Sequence, residues 1–149
     1  MTVEEYREQL LEDMAVRAAA DGNSTPDKEF LYYVTDVLAT GEEFDDFIEC
    51  HQEGISHKRA NMEIDGYAFD DADGSCCVFI LDYHGPFEND SINAKDIEIK
   101  FNLIRHFVEE AIKYKMGFEE SSQEYEFNML LHEKAAEITK FRFYILTDA

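Results

Sequence analysis

The chain has no tryptophan, only 2 prolines and 7 glycines, and 13 basic residues against 34 acidic ones. With so little Pro and Gly, and no periodic repeat of either, it is not a collagen-like or linker-type chain. No grouped glycines are present to cradle a phosphate. No apolar run nears the roughly 18 residues of a membrane span. The opening Met1-Thr2-Val3-Glu4-Glu5-Tyr6-Arg7 lacks the basic start and apolar stretch of a secretory signal. Cys50, Cys76 and Cys77 are odd in number and lack Cys-x-x-Cys spacing, so they read as reduced, buried thiols. The expectation is a cytoplasmic protein with no membrane partner. The shortage of bases leaves a formal net charge of −21, a field that repels phosphate backbones.

What is present builds a core. Of 149 residues 45% are hydrophobic, including 12 Phe and 8 Tyr, which suits one folded domain over residues 1–149 and excludes disorder. Tyr6, Leu10, Leu11, Met14 and Ala18 recur at helical spacing until Asp21-Gly22-Asn23-Ser24. Thr25-Pro26 restarts a helix, with Phe30, Tyr33, Val34, Val37 and Leu38 as its stripe. A third short helical piece is expected around Phe44, Phe47 and Ile48.

Beyond Gly54 the pattern changes to strands. Asn61 to Asp70 and Ser75 to His84 read as a hairpin closed by Asp71-Ala72-Asp73-Gly74. Its second strand is apolar from Cys76 to Leu81, as in a strand covered on both faces. Asn93 or Ser91 caps a helix whose stripe runs Ile97, Phe101, Ile104, Phe107, Val108, Ala111, Ile112, with Gly117 as its C-cap. A second helix is expected from Glu119 to Thr139, burying Tyr125, Met129, Leu130 and Ala136. A strand from Phe141 to Thr147 follows. A buried strand trailed only by Asp148-Ala149 suggests the N-terminal fragment of a longer protein, with the rest of that chain as a partner and self-association through an exposed last strand.

Pairing Asp70 with Ser75 sets Asp65 opposite Ile80 and Glu63 opposite Asp82, and on a regular strand Ile80, Asp82 and His84 share one face. Asp65, Asp82 and His84 are therefore expected to cluster, with two carboxylates able to hold Mg²⁺ and a third group able to orient a metal-bound water. A bulge would separate them. The bland reading has Asp65 in a bend and Asp82 at a solvated strand end. Aligned as a calcium loop, Asp71-Ala72-Asp73-Gly74 puts Phe69 and Ile80 at ligand positions, so it is a turn. His132-Glu133 lacks a second histidine, and Cys50, His51 and His57 have no recognised ligand spacing, so they read as satisfied or exposed side chains.

Met62-Glu63-Ile64-Asp65-Gly66-Tyr67-Ala68-Phe69-Asp70, Val78-Phe79-Ile80-Leu81-Asp82-Tyr83, the helix Asp96-Ile97 through Arg105-His106-Phe107, and Phe143-Tyr144-Ile145-Leu146-Thr147-Asp148 together resemble the N-terminal region of abortive infection phage resistance proteins. The resemblance covers most of the chain after Phe44. The placing of the acids also resembles the PD-(D/E)xK restriction-endonuclease-like fold. It implies a mixed central sheet flanked by helices, in the order α-α-β-β-α-α-β. Asp65 and Asp82 would be metal ligands and catalytic residues of a phosphodiester-cleaving site that uses Mg²⁺, and His84 stands at the family's lysine position. An imidazole, unlike an ammonium, is mostly neutral at pH 7, which leaves an active and a degenerate nuclease both open. With Lys58-Arg59 the only adjacent basic pair, nucleic acid is expected as a partner only in a full-length protein. The alternative is a non-catalytic acidic module that binds a basic protein or mimics nucleic acid.

Overall fold

The computed structural model describes residues 2–41, 44, 46–56, 59–85, 91–114, 127, 130–131, 133 and 137–148. Helix α1, Val3–Asp21, starts where the Thr2 hydroxyl accepts from the Glu5 N–H at 3.0 Å and stops where Gly22, at φ 76°, donates back to Ala18 O. Its buried stripe is Leu11, Met14 and Ala18, whereas Tyr6 lies exposed. Helix α2, Pro26–Thr40, follows with Pro in its first turn and buries Phe30 and Leu31, leaving Val37 exposed.

Three strands come next, where the sequence pattern gives two. β1 (Ile48–Ile55), β2 (Asn61–Asp70) and β3 (Ser75–Asp82) precede helix α3 (Ala94–Tyr114) and strand β4 (Lys140–Thr147). The sheet order is β1-β2-β3-β4, antiparallel except for the parallel β3–β4 pair. The expected helical piece at Phe44, Phe47 and Ile48 is thus replaced by an approach to β1. The physical reason is that β1 is a mostly polar edge strand, held by its ladder to β2 and not by any local apolar signal. The observed order opens α-α-β-β-β-α and closes on β4. Of the expected 119–139 helix, Phe127 and Leu131 are helical and buried and Leu130 is half-buried. Tyr125, Met129, Ala136, His132 and the Gly117 cap lie outside the described residues.

The hairpin forms as its turn dictates, with Asp70 paired to Ser75 and Gly74 at φ 74°. Asn93 caps α3, its side chain accepting from the Asp96 N–H at 2.8 Å. Every residue from Cys76 to Ile80 is fully buried, because β3 is flanked by strands and covered on both faces. On one face Ile64, Tyr67, Val78 and Ile80 pack with Ile104, Phe107, Val108 and Phe127. On the other, Ala68, Cys77, Phe79 and Leu146 pack with Met14, Phe30, Leu31 and Phe44. The sheet is the middle layer of a helix–sheet–helix sandwich. No helix among the described residues is long and apolar enough to cross a membrane.

Candidate metal centre on the α2 face of the sheet

The site begins with a fault in strand alternation. Met62 and Ile64 face α3, and so do Tyr67 and Phe69, so two neighbouring residues between them must share the opposite face. They are Asp65 and Gly66. A Cβ on Gly66 would lie 2.3 Å from the Phe47 ring, which belongs to the core on the α1–α2 side. Asp65 lines a cleft on that same side, against α2. The β1–β2 ladder slips at the same point, from Glu49↔Gly66 to Gln52↔Ile64, so Cys50 and His51 stand against Asp65 alone. This is a β-bulge, and glycine serves it by letting an aromatic ring lie on the backbone.

The break in alternation at Asp65 and Gly66 places Asp65 and Asp82, expected to group, in the linings of different pockets. β3 alternates regularly, so Ile80 lies in the α3-side core and Phe79 in the other. Asp82 and His84 follow Ile80 to the α3 side, where they line a separate pocket of about 150 Å³ with Asp96 and Lys100. Leu81 of β3 and Tyr83 just beyond its end line the cleft that holds Asp65. The structure brings Asp82 and His84 together but separates both from Asp65. Within that pair His84 Nε2 is 2.8 Å from Asp82 Oδ2, the Thr147 hydroxyl donates to the same oxygen at 3.1 Å, and Lys100 Nζ lies 3.9 Å from Oδ1.

Asp65 has other company. The cleft is about 450 Å³, and in its lining the ligand atoms of His51, Glu63 and Asp65 all lie within 4.8 Å of one another. His51 Nδ1 is 2.6 Å from Asp65 Oδ1, while Asp65 Oδ2 accepts the Leu81 N–H at 2.7 Å. One carboxylate oxygen is therefore fixed by backbone and the other is aimed at the imidazole. Burial and then the Asp65 charge push the Glu63 carboxyl above its ordinary value, against the pull of Lys100 and His51. For His51, burial alone would lower the pKa, but the hydrogen bond and charge of Asp65, with Glu63 and Glu53, outweigh it and leave it raised. Asp27 and Lys28 of the first turn of α2 form the opposite wall. Glu49 on the rim accepts from the Tyr32 phenol, whose pKa that bond and its burial push up to about 12.

Sequence reasoning singled out Asp65 and missed its partners. His51 had no ligand spacing along the chain because its neighbours come from another strand. The available signal was the period-two run Glu49, His51, Glu53, legible once residues 48–55 are read as a strand.

Residues 30–149 match the family model of the abortive infection phage resistance protein N-terminal domain. The chain belongs to the abortive infection phage resistance family. No curated protein and no solved structure matches it. The matched span of this abortive infection domain includes β1 to β4, α3 and most of α2, hence both the His51–Glu63–Asp65 cluster and the Asp82–His84 pair. Membership points to phage resistance by abortive infection.

Proposed function

We propose that this chain is the nuclease-like domain of a phage-defence protein and that the α2-side cleft is its metal-dependent phosphodiester-cleaving site. The observation that carries this reading is the convergence of three potential ligand atoms within 4.8 Å in a cleft that also holds a lysine. An imidazole and two carboxylates are a donor set that fits a divalent cation, and three protein ligands leave positions for water and substrate. A bound ion would supply an acidified water as nucleophile and charge stabilisation at phosphorus. Asp65, oriented by the Leu81 N–H, would be the fixed ligand. Glu63 and His51 would complete the set, and Lys28 would bring positive charge to a substrate phosphate.

Cleavage of fluorescent single- and double-stranded DNA and RNA with Mg²⁺ or Mn²⁺ tests it, and Asp65→Ala should reduce the rate at least about 100-fold. Undiminished cleavage in Asp65→Ala would overturn the assignment. Loss confined to Asp82→Ala would move the chemistry to the α3 face. A second reading, the acidic non-catalytic module, is favoured by the net charge of −21 and by Leu81 and Tyr83 where β3 meets the cleft. It predicts no cleavage by any form of the chain, together with salt-sensitive binding to a basic protein.

A further inference from the structure

We infer that the His51–Glu63–Asp65 cluster is a nitrogen-containing metal site that selects Mn²⁺, as a representative first-row transition ion, over Mg²⁺ and Ca²⁺. The inference deepens the metal-site reading above and rests on it. Mg²⁺ and Ca²⁺ are hard ions that take oxygen ligands, whereas an imidazole nitrogen is a better donor to the first-row transition ions, among which Mn²⁺ binds most weakly and is the most demanding case. The imidazole here is placed by the fold. The ladder slip puts His51 directly against Asp65, with Nδ1 2.6 Å from Oδ1. An ion held by Asp65 Oδ1 therefore has a nitrogen donor as its neighbour.

The carboxylate geometry argues in the same direction. Because Asp65 Oδ2 is already committed to the Leu81 N–H at 2.7 Å, Asp65 offers one oxygen. That disfavours Ca²⁺, which collects six to eight oxygens and often uses a bidentate carboxylate. The backbone bond is also the outer-shell contact that fixes a ligand's direction. Exposure is graded across the cluster, with the Asp65 side chain 13% exposed and that of His51 54% exposed. Asp65 is the buried anchor and His51 the outer ligand that closes on an ion arriving from solvent. Among the described residues, this is the group of three or more His, Cys, Asp and Glu side chains that converges in this way. The Asp82–His84 pair on the other face brings Lys100 instead of a third ligand.

The test uses the whole chain and measures binding. Isothermal titration with Mn²⁺, Mg²⁺ and Ca²⁺ is combined with electron spin-echo spectroscopy of the Mn²⁺ complex, which detects a directly bound ¹⁴N nucleus. The expected result is one Mn²⁺ per chain, at least about 10-fold tighter than Mg²⁺. Nitrogen modulation should vanish in His51→Ala, which should also lose at least about 10-fold in Mn²⁺ affinity. His106→Ala, a half-buried histidine on α3 whose ring meets the Asn61 carbonyl, should keep both. Circular dichroism and a denaturation midpoint matching wild type show that His51→Ala, altered on an edge strand, is folded. Equal affinity for Mn²⁺ and Mg²⁺, or nitrogen modulation that survives in His51→Ala, overturns the selectivity while leaving the metal site standing. Failure of every ion to bind the wild-type chain overturns the metal-site reading itself.

Discussion

His51 is under two opposed influences, and the balance can be measured. Burial favours the neutral ring, while the hydrogen bond to Asp65 and three nearby acids favour the charged one, and the acids prevail. A folded-state pKa raised above the unfolded value means that this pair stabilises the fold most fully below about pH 6.5. That contribution is lost as pH rises through the raised value. In chelator-treated protein, an NMR titration should place the His51 midpoint above about 6.5, and Asp65→Asn should bring it down by removing both bond and charge. An unchanged midpoint would show that the contact is not formed. Gly66 makes a second prediction at this scale. An alanine Cβ would meet the Phe47 ring at 2.3 Å and Ile48 O at 2.8 Å, one a side chain and the other backbone that cannot easily yield. Gly66→Ala should destabilise by roughly 1–3 kcal/mol in urea denaturation, and a loss well under that would mean that the bulge relaxes. Asp65 was legible in the sequence because it sits in a quotable strand motif. Its pairing with His51 was not, because nothing along the chain announces where an edge strand will slip.

Elements whose signals are local were read correctly. The hairpin register followed from its turn, the α1 stop from Gly22, the α3 cap from Asn93, and the burial of β3 from its unbroken apolar run. Elements that depend on distant partners were not. β1 carries little apolar signal of its own, and the bulge, at which Cys50 and His51 of β1 stand against Asp65 alone, falls where Phe47 lies on Gly66. The break in the alternation of β2 at Asp65 and Gly66 puts that carboxylate in the pocket of His51 and not in that of Asp82. A further long-range device joins α1 to β4. The Asp148 side chain is fully buried and accepts from the N–H groups of His84 and Gly85 and from Arg7 Nη2 at 3.2 Å. Arg7 also donates to the Asp148 and Gly85 carbonyls at 2.7 and 3.0 Å. Asp148→Ala leaves three donors facing an emptied position and a guanidinium without its counter-charge, at a cost of roughly 3–5 kcal/mol. Chemical denaturation measures it, and a cost below about 1 kcal/mol would show that α1 docks without this clamp.

For the whole molecule, the net charge of −21 governs encounters. Nucleic-acid affinity arises largely from Lys and Arg neutralising phosphates, and the chain has 13 such residues. The isolated chain should bind duplex DNA more weakly than micromolar at ~0.15 M salt, where charges are screened beyond ~8 Å, so cleavage by it is to be sought at high enzyme concentration. Micromolar affinity in a fluorescence-anisotropy titration would mean that local arrangement around Lys28 defeats the global field. The clamp between Arg7 and Asp148 has a different kind of consequence, because its partners stand 141 positions apart. At translation rates of about 5–20 residues per second, Arg7 leaves the ribosome roughly 7–28 s before Asp148 does. Strand β3 is complete at Asp82 and β4 only at Thr147, so for roughly 3–13 s of that interval the central strand lacks its parallel neighbour and one apolar strand edge stays open to any passing chain. Closure of the sheet thus waits on β4, and the β3 edge is open to misassembly until β4 has been made.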